Sequence, residues 1–256
     1  MSLSVRALSF SYGKQAPVLR DVRIEPITPG RLTALIGPNA AGKSTLFRCI
    51  AGILPCPQAT VYLDDDDLAL SSRREWSKQV CFVPQGFMTS AALTVFDLVL
   101  LARKHLSGWR VTSQDIDASE TVLLKLGIGH LAETYVGDLS GGQQQMVSLS
   151  QALVREPALF LLDEPTSALD LRHQLEIMTV IRDVTSERGI TTIVALHDLN
   201  LAARFADEMI LMREGEIAAT GPPKDILCSQ ELEDTYGVNL DVHTTSDDVL
   251  MVSARL

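Results

Sequence analysis

Basic charge is in short supply in this chain: 22 lysines and arginines stand against 32 aspartates and glutamates, a formal charge of −10. That balance argues against nucleic acid as a partner, because a phosphate backbone is gripped by clustered positive charge. Anionic lipid would repel such a surface too, so any association with a membrane is expected to run through a protein. Cysteine is scarce as well. Cys49, Cys56, Cys81 and Cys228 form no CxxC pair and no zinc-finger spacing, and read as ordinary buried thiols in a reducing compartment. No apolar run approaches the ~20 residues of a membrane-spanning helix. The opening MSLSVRALSFSYGK has no apolar signal core, so a cytosolic protein is expected. Internal repeats and sustained heptads are absent, and the one biased stretch, Asp64–Asp67, suits a solvated turn after a strand at Thr60–Leu63.

What is present is enough apolar material for a full core: 46% of 256 residues are hydrophobic, which fits one large α/β domain or one domain with an inserted lobe. Leu8–Tyr12 alternates apolar and polar residues as a half-buried strand does. Continuous apolar runs at Leu32–Ile36, Val80–Val83, Leu159–Leu162 and Thr191–Leu196 predict buried strands. Helical spacing appears between them, as at Leu171, Leu175, Met178 and Ile181. Strands alternating with helices predict a mainly parallel sheet covered on both faces. From about Gly86 to Glu156 the pattern is helical with no buried strand, as in an inserted lobe. The tail after Gly221 opens on the break Pro222-Pro223.

The chemistry concentrates at strand ends. Gly37-Pro38-Asn39-Ala40-Ala41-Gly42-Lys43-Ser44 fits G-x-x-x-x-G-K-[ST] between a strand and a helix, the setting in which that motif binds a nucleoside triphosphate. Small residues let backbone N–H groups wrap the phosphates, aided by the helix N-terminus behind them. Lys43 supplies charge to the β- and γ-phosphates and Ser44 a hydroxyl to Mg²⁺. Asp163 and Glu164 end the run Leu159–Leu162, where open parallel sheets place their ligands. Asp163 would hold Mg²⁺, and Glu164 would take a proton from the attacking water. Asp-Glu-Pro taken alone fits a surface turn equally well. Gln85 and His197 follow two further strands, although a lone histidine there is more often a structural hydrogen bonder. Leu139-Ser140-Gly141-Gly142-Gln143 carries S-x-x-Q spacing, so Ser140 can cap a helix whose buried face includes Met146, Leu149 and Leu153. This is a second helix start suited to an anion, and also an ordinary well-capped helix.

The set GPNAAGKST, Gln85, LSGGQ, LLDEPTSALD and His197 resembles the nucleotide-binding subunits of ABC transporters, in the same order and over nearly the whole chain. The resemblance implies an α/β P-loop NTPase (RecA-like) core with an N-terminal antiparallel β subdomain and an inserted α-helical lobe. It divides one ATPase domain, 1–256, into a core (1–85 and 157–225), a lobe (86–156) and a tail (226–256). It implies two copies arranged head-to-tail around two ATP molecules with Mg²⁺, the Ser140–Gln143 stretch of each meeting the γ-phosphate held by Gly37–Thr45 of the other. Tyr12 matches the aromatic that stacks on adenine, although the apolar face of Leu8 and Phe10 accounts for a core tyrosine equally well. Ser167 and Asp170 match a loop that crosses the interface. Gln85 matches a residue that senses magnesium and links the site to the membrane subunit. The chain departs from the family at Ala40, where glycine is usual, and at Gln144-Gln145, where arginine often follows the signature. His197–Asp207, Leu32–Asn39 and the compact tail Thr220–Val242 resemble the ATPases of bacterial importers for ferric siderophores, haem and cobalamin, with ferric siderophore ranked first, then haem or cobalamin. Polytopic permease subunits, a periplasmic or surface substrate-binding protein and a place on the inner face of the membrane are the implied setting. A soluble ABC ATPase of DNA repair or translation is the other class, disfavoured by one cassette and no sustained heptads.

Overall fold

The computed structural model describes residues 1–56, 59–86, 92–104, 108, 110–167, 169–245 and 249–255. Ala168 of the LLDEPTSALD stretch, and residues 87–91, 105–107 and 109 of the expected lobe, lie outside the described residues. The chain runs through β1 (Leu3–Phe10), β2 (Leu19–Ile24), β3 (Leu32–Ile36), α1 (Lys43–Ile50), β4 (Thr60–Leu63), β5 (Asp66–Asp67), α2 (Arg73–Gln79) and β6 (Val80–Val83). Then come α3 (Val95–Lys104), α4 (Ser113–Lys125), α5 (Gly141–Leu153), β7 (Leu159–Asp163), α6 (Leu171–Arg188), β8 (Thr191–Ala195), α7 (Leu199–Phe205), β9 (Glu208–Arg213) and β10 (Glu216–Gly221). The tail holds α8 (Pro223–Leu227), α9 (Gln230–Tyr236), β11 (Asn239–Thr244) and β12 (Leu250–Arg255).

The central sheet has the order β10-β9-β3-β8-β7-β6, with β9, β3, β8, β7 and β6 all parallel. Its strands read as unbroken apolar runs because both faces are covered. Leu32, Ala34 and Ile36 enter one core with α5, α6 and α7, while Leu35 enters the other with Leu46, Phe47 and Ile50 of α1. The period of 2 therefore splits each strand between two apolar layers. The four predicted strands β3, β6, β7 and β8 lie in this one sheet, so their C-terminal ends open on one edge.

Several expectations shift. The first strand is β1, Leu3–Phe10, rather than Leu8–Tyr12. A register irregularity between Val5 and Leu8 breaks the alternation, so only its second half shows in the sequence. In α6, Ile177, Met178 and Ile181 are buried, but Leu171 is 70% exposed, so the apolar stripe starts more than a turn later than the spacing predicts. Of the cysteines, Cys49 and Cys81 are buried, whereas Cys56 is half-buried and Cys228 exposed. β1 belongs to a separate antiparallel sheet, β2-β1-β4-β5, and only the first half of the acidic run, Asp64 and Asp65, is the tight turn after β4, because Asp66 and Asp67 pair back onto it as β5. Helices α3, α4 and α5 pack on one another. The tail pairs β11 with β12 and fastens β12 to α7 through Asn200. Its side chain accepts from the Val252 N–H at 2.7 Å and donates to the Val252 carbonyl at 3.3 Å.

Candidate active site

β3 delivers the chain to Gly37, whose φ of 147° and close quarters allow no side chain: a Cβ would fall 2.2 Å from the Met212 carbonyl oxygen of β9. The loop then turns into α1, which begins at Lys43 with no side chain capping its N-terminus. Its first N–H groups are thereby free for an anion. Lys43 is only 5% exposed. Its ammonium folds onto the loop, donating to the Gly37 carbonyl at 2.6 Å and the Pro38 carbonyl at 3.1 Å. Burial pushes its pKa down, against the opposing pull of the Glu164 and Asp163 charges. Ala41 and Thr45 are buried, while Asn39 and Ala40 stand exposed at the tip.

Ala40 has a φ of 64°, the left-handed conformation that costs an L-residue about 1–2 kcal/mol. Glycine there removes the strain but adds about 0.4–1 kcal/mol of unfolded-chain entropy to be lost. Ala40→Gly is therefore expected to raise the melting temperature by about 1–3 °C in a thermal denaturation; a lower value would mean that the alanine is unstrained.

Across the loop, β7 ends in Asp163, 3% exposed. Burial raises its carboxyl pKa, against the opposing pull of the neighbouring Ser44 hydroxyl. Its Oδ1 is buried and has no hydrogen-bond partner. Glu164 follows with a φ of 51°, a strained geometry of the kind that concentrates at functional sites. The Glu164 N–H donates to the Ala195 carbonyl at 3.2 Å, and the Ser167 N–H and hydroxyl both donate to the Glu164 carbonyl. Two predicted residues then hold its side chain. Gln85 Nε2 donates to Oε2 at 2.8 Å, and His197 Nε2 pairs with Oε1. Because β6, β7 and β8 are neighbours in the sheet, the residues just past their ends meet at one carboxylate. The histidine is thus not the isolated structural residue that its sequence position alone allowed.

Tyr12 is 39% exposed and therefore not a core residue. Its ring meets Phe10 edge-on at 4.9 Å, and its hydroxyl lies 3.3 Å from the Thr45 hydroxyl, beside the loop.

The remaining predicted residues form a second group. Ser140 caps α5, accepting from the Gln143 N–H at 3.4 Å, while Gln143 Oε1 accepts from the Ser140 N–H at 2.9 Å. The cap is thus reciprocal, as the spacing predicts. Gly142 leaves room for His173, whose ring would lie 3.3 Å from any Cβ there. Asp170 caps α6, accepting from the His173 N–H at 2.9 Å, and pairs with His173 Nδ1 at 2.8 Å. These bonds hold its carboxyl below the usual range, the backbone bond foremost. Gln144 reaches back to the Leu139 carbonyl at 3.2 Å. Gln145 is buried, with no hydrogen-bond partner on its Nε2. Among the described residues no hydrogen bond or ion pair joins this group to the loop, Glu164 or His197.

Sequence reasoning missed Tyr236. Its hydroxyl oxygen accepts the Gly37 N–H at 3.1 Å, a contact for which an aromatic ending the polar helix QELEDTY gives no signal.

Residues 20–167 match the family model for ABC transporters. The chain is 36% identical to the ferric enterobactin transport ATP-binding protein FepC of Escherichia coli over 90% of this chain and 85% of that one. It is 37% identical to the hemin import ATP-binding protein HmuV of Bordetella pertussis over the full length of both. Among solved structures, an inward-facing metal-chelate type ABC transporter superposes with a TM-score of 0.85 at 26% identity, over 100% of this chain and 97% of that one. A dimeric ATP-binding cassette in a post-hydrolysis state bound to ADP and Pi gives 0.76 at 26% identity, over 87% and 99%. With the phosphate loop, the clamped glutamate and the capped signature helix all in place, this chain belongs to the ABC transporter family, as one of its ATPases.

Proposed function

We propose that two copies of this chain close head-to-tail over two ATP molecules and use their hydrolysis to drive import of a metal chelate, a ferric siderophore before haem or cobalamin. The carrying observation is the clamp on Glu164 by Gln85 and His197 beside a buried lysine loop. Among the described residues, a second anion-ready helix start, at α5, has no hydrogen bond or ion pair to that loop in its own chain. The ADP-and-Pi-bound relative is dimeric, and relatives named for ferric enterobactin, hemin and iron(3+)-hydroxamate support the cargo class. The division into core (1–85, 157–225), lobe (86–156) and tail (226–256) belongs to the same reading. So does a station at the cytoplasmic face of the membrane, with permease subunits seated near Gln85 and a binding protein beyond them. No helix among the described residues is long and apolar enough to cross a membrane.

Ser44 and Asp163 fit Mg²⁺: a hydroxyl beside a carboxylate whose buried Oδ1 lacks any partner is a hard-oxygen donor set. Gln85, with its N–H spent on Glu164, offers its carbonyl oxygen. Bound there, the cation would neutralise phosphate charge. The protein's own residues do the rest. Lys43 exchanges the Gly37 and Pro38 carbonyls for the β- and γ-phosphates. Glu164 takes a proton from water as its oxygen attacks the γ-phosphorus and the bond to the β-phosphate oxygen breaks, giving ADP and phosphate. His197 steadies the γ-phosphate, Tyr12 stacks on adenine, and Ser140–Gln143 of the other copy close the site. Asp170 and Ser167 line the seam, and loss of the γ-phosphate reopens it.

The test uses a Glu164→Gln background, in which ATP is expected to convert monomers to dimers on gel filtration. Adding Ser140→Arg is expected to keep the protein monomeric while ATP affinity stays within about twofold, since the serine serves the other copy's nucleotide. A dimer that persists, or nucleotide lost outright, would mean that α5 acts within its own chain. Cargo is read from the ATPase of the complex co-purified with its membrane subunits. Stimulation by ferric siderophore supports the ranking, and stimulation by haem or cobalamin alone reverses it.

A further inference from the structure

Gly37 is held from three sides. Its carbonyl accepts from Lys43, its Cα lies against the Met212 carbonyl, and its N–H donates to Tyr236, 199 positions along the chain, at 3.1 Å. The first two ties come from the loop and the sheet; the third comes from the tail. Tyr236 is itself well fixed. α9 starts on Ser229, whose hydroxyl oxygen accepts the Leu232 N–H at 3.3 Å, and it buries Leu232 completely. It ends on Gly237 in the left-handed conformation. Glu233 Oε1 accepts the Leu240 N–H at 2.7 Å, tying α9 to β11. The β11–β12 pair is clipped by Asn200 to α7, the helix that follows His197. Burial raises the Tyr236 phenol pKa, and the Gly37 bond offsets only part of that rise, so the hydroxyl remains neutral.

A glycine is the loosest hinge a backbone has, yet this one heads a loop whose N–H groups must converge on phosphate. Lys43 cannot hold it throughout, because the same ammonium must leave the Gly37 carbonyl to meet the nucleotide. The tyrosine is the polar tie that stays. We infer that Tyr236 is a positioning residue for the ATP site: through its hydroxyl the C-terminal tail pre-shapes the Gly37–Lys43 loop and so sets nucleotide affinity. This rests on the ATP reading of the loop, and Lys43→Ala serves as its independent control.

Tyr236→Phe removes the hydroxyl and keeps the ring in its packing. Pre-organisation predicts a Kd for MgATP, read by competition with a fluorescent ATP analogue, about three- to tenfold weaker. The turnover number at saturating ATP is expected to stay within about twofold, and the nucleotide-free melting temperature within about 2 °C. An unchanged Kd would overturn the inference, whatever the melting temperature. So would a loss of affinity that comes with a collapse of melting temperature, since that marks a packing residue. If Lys43→Ala loses ATP in the same assay while Tyr236→Phe does not, the inference fails and the site stands. If neither the native protein nor any variant binds ATP, both fail.

Discussion

Replacing Glu164 by glutamine is expected to stop ATP hydrolysis and leave ATP bound. The argument rests on what the amide keeps and what it loses. Glutamine matches glutamate in length, and its carbonyl oxygen can still accept from Gln85 Nε2, which lies 2.8 Å from the carboxylate. Its NH₂ group can donate to His197 Nε2, now paired with the other carboxylate oxygen, once that nitrogen is the unprotonated one of a neutral imidazole. The strained backbone at φ 51° is anchored by Ala195 and Ser167, not by the side chain, so it persists. What disappears is the basic site. A general base contributes about 10²–10⁴-fold to rate, so turnover should fall by at least about 100-fold while the ATP Kd stays within a few-fold. Single-turnover hydrolysis alongside equilibrium binding reads both at once. Native-like turnover in the variant would remove Glu164 from the role of base.

The site was largely legible in the sequence because its residues sit at fixed places relative to strands that announce themselves. Lys43, Asp163, Gln85 and His197 each follow a run of buried apolar residues, and a run buried on both faces cannot be mistaken for a surface segment. The sheet order that makes β6, β7 and β8 neighbours is long-range information, but the convergence of strand ends on one edge follows from parallel topology alone. The edges of the fold were harder. β1 hid its first half behind a register irregularity. β10 to β12 carry no distinct pattern. β10 alternates half-buried with exposed residues, and β11 and β12 hold no buried residue among those described. The hold of Tyr236 on Gly37 was illegible for the same reason: α9 is acidic and polar, buries only Leu232, and meets the loop through one hydroxyl. Sequence pattern records what a residue buries far better than what it bonds.

Lys43→Ala should do the converse of the glutamate substitution: ATP itself should be lost. The ammonium is the one full positive charge in the loop. Hydrogen bonds to charged groups are worth about 1.5–3 kcal/mol, which corresponds to affinity weakened by about ten- to over a hundredfold. Stability separates this from a folding defect. Burial pushes the Lys43 pKa down, which means that the fold holds the charged form at a cost, opposed by Asp163 and Glu164. Alanine removes that cost together with two bonds to backbone carbonyls at the mouth of the loop, so the nucleotide-free melting temperature should not fall appreciably. The rise in melting temperature on adding ATP is another matter. A hundredfold weaker Kd removes about 2.7 kcal/mol of ligand stabilisation at high ATP, or about 5–10 °C of shift for a chain of this size. A variant that melts as the native protein does without ATP and barely responds to it would place the lysine on the phosphates. One that responds fully would leave its ammonium as no more than a clasp for Gly37 and Pro38, and the loop as a turn that only looks like a phosphate cradle.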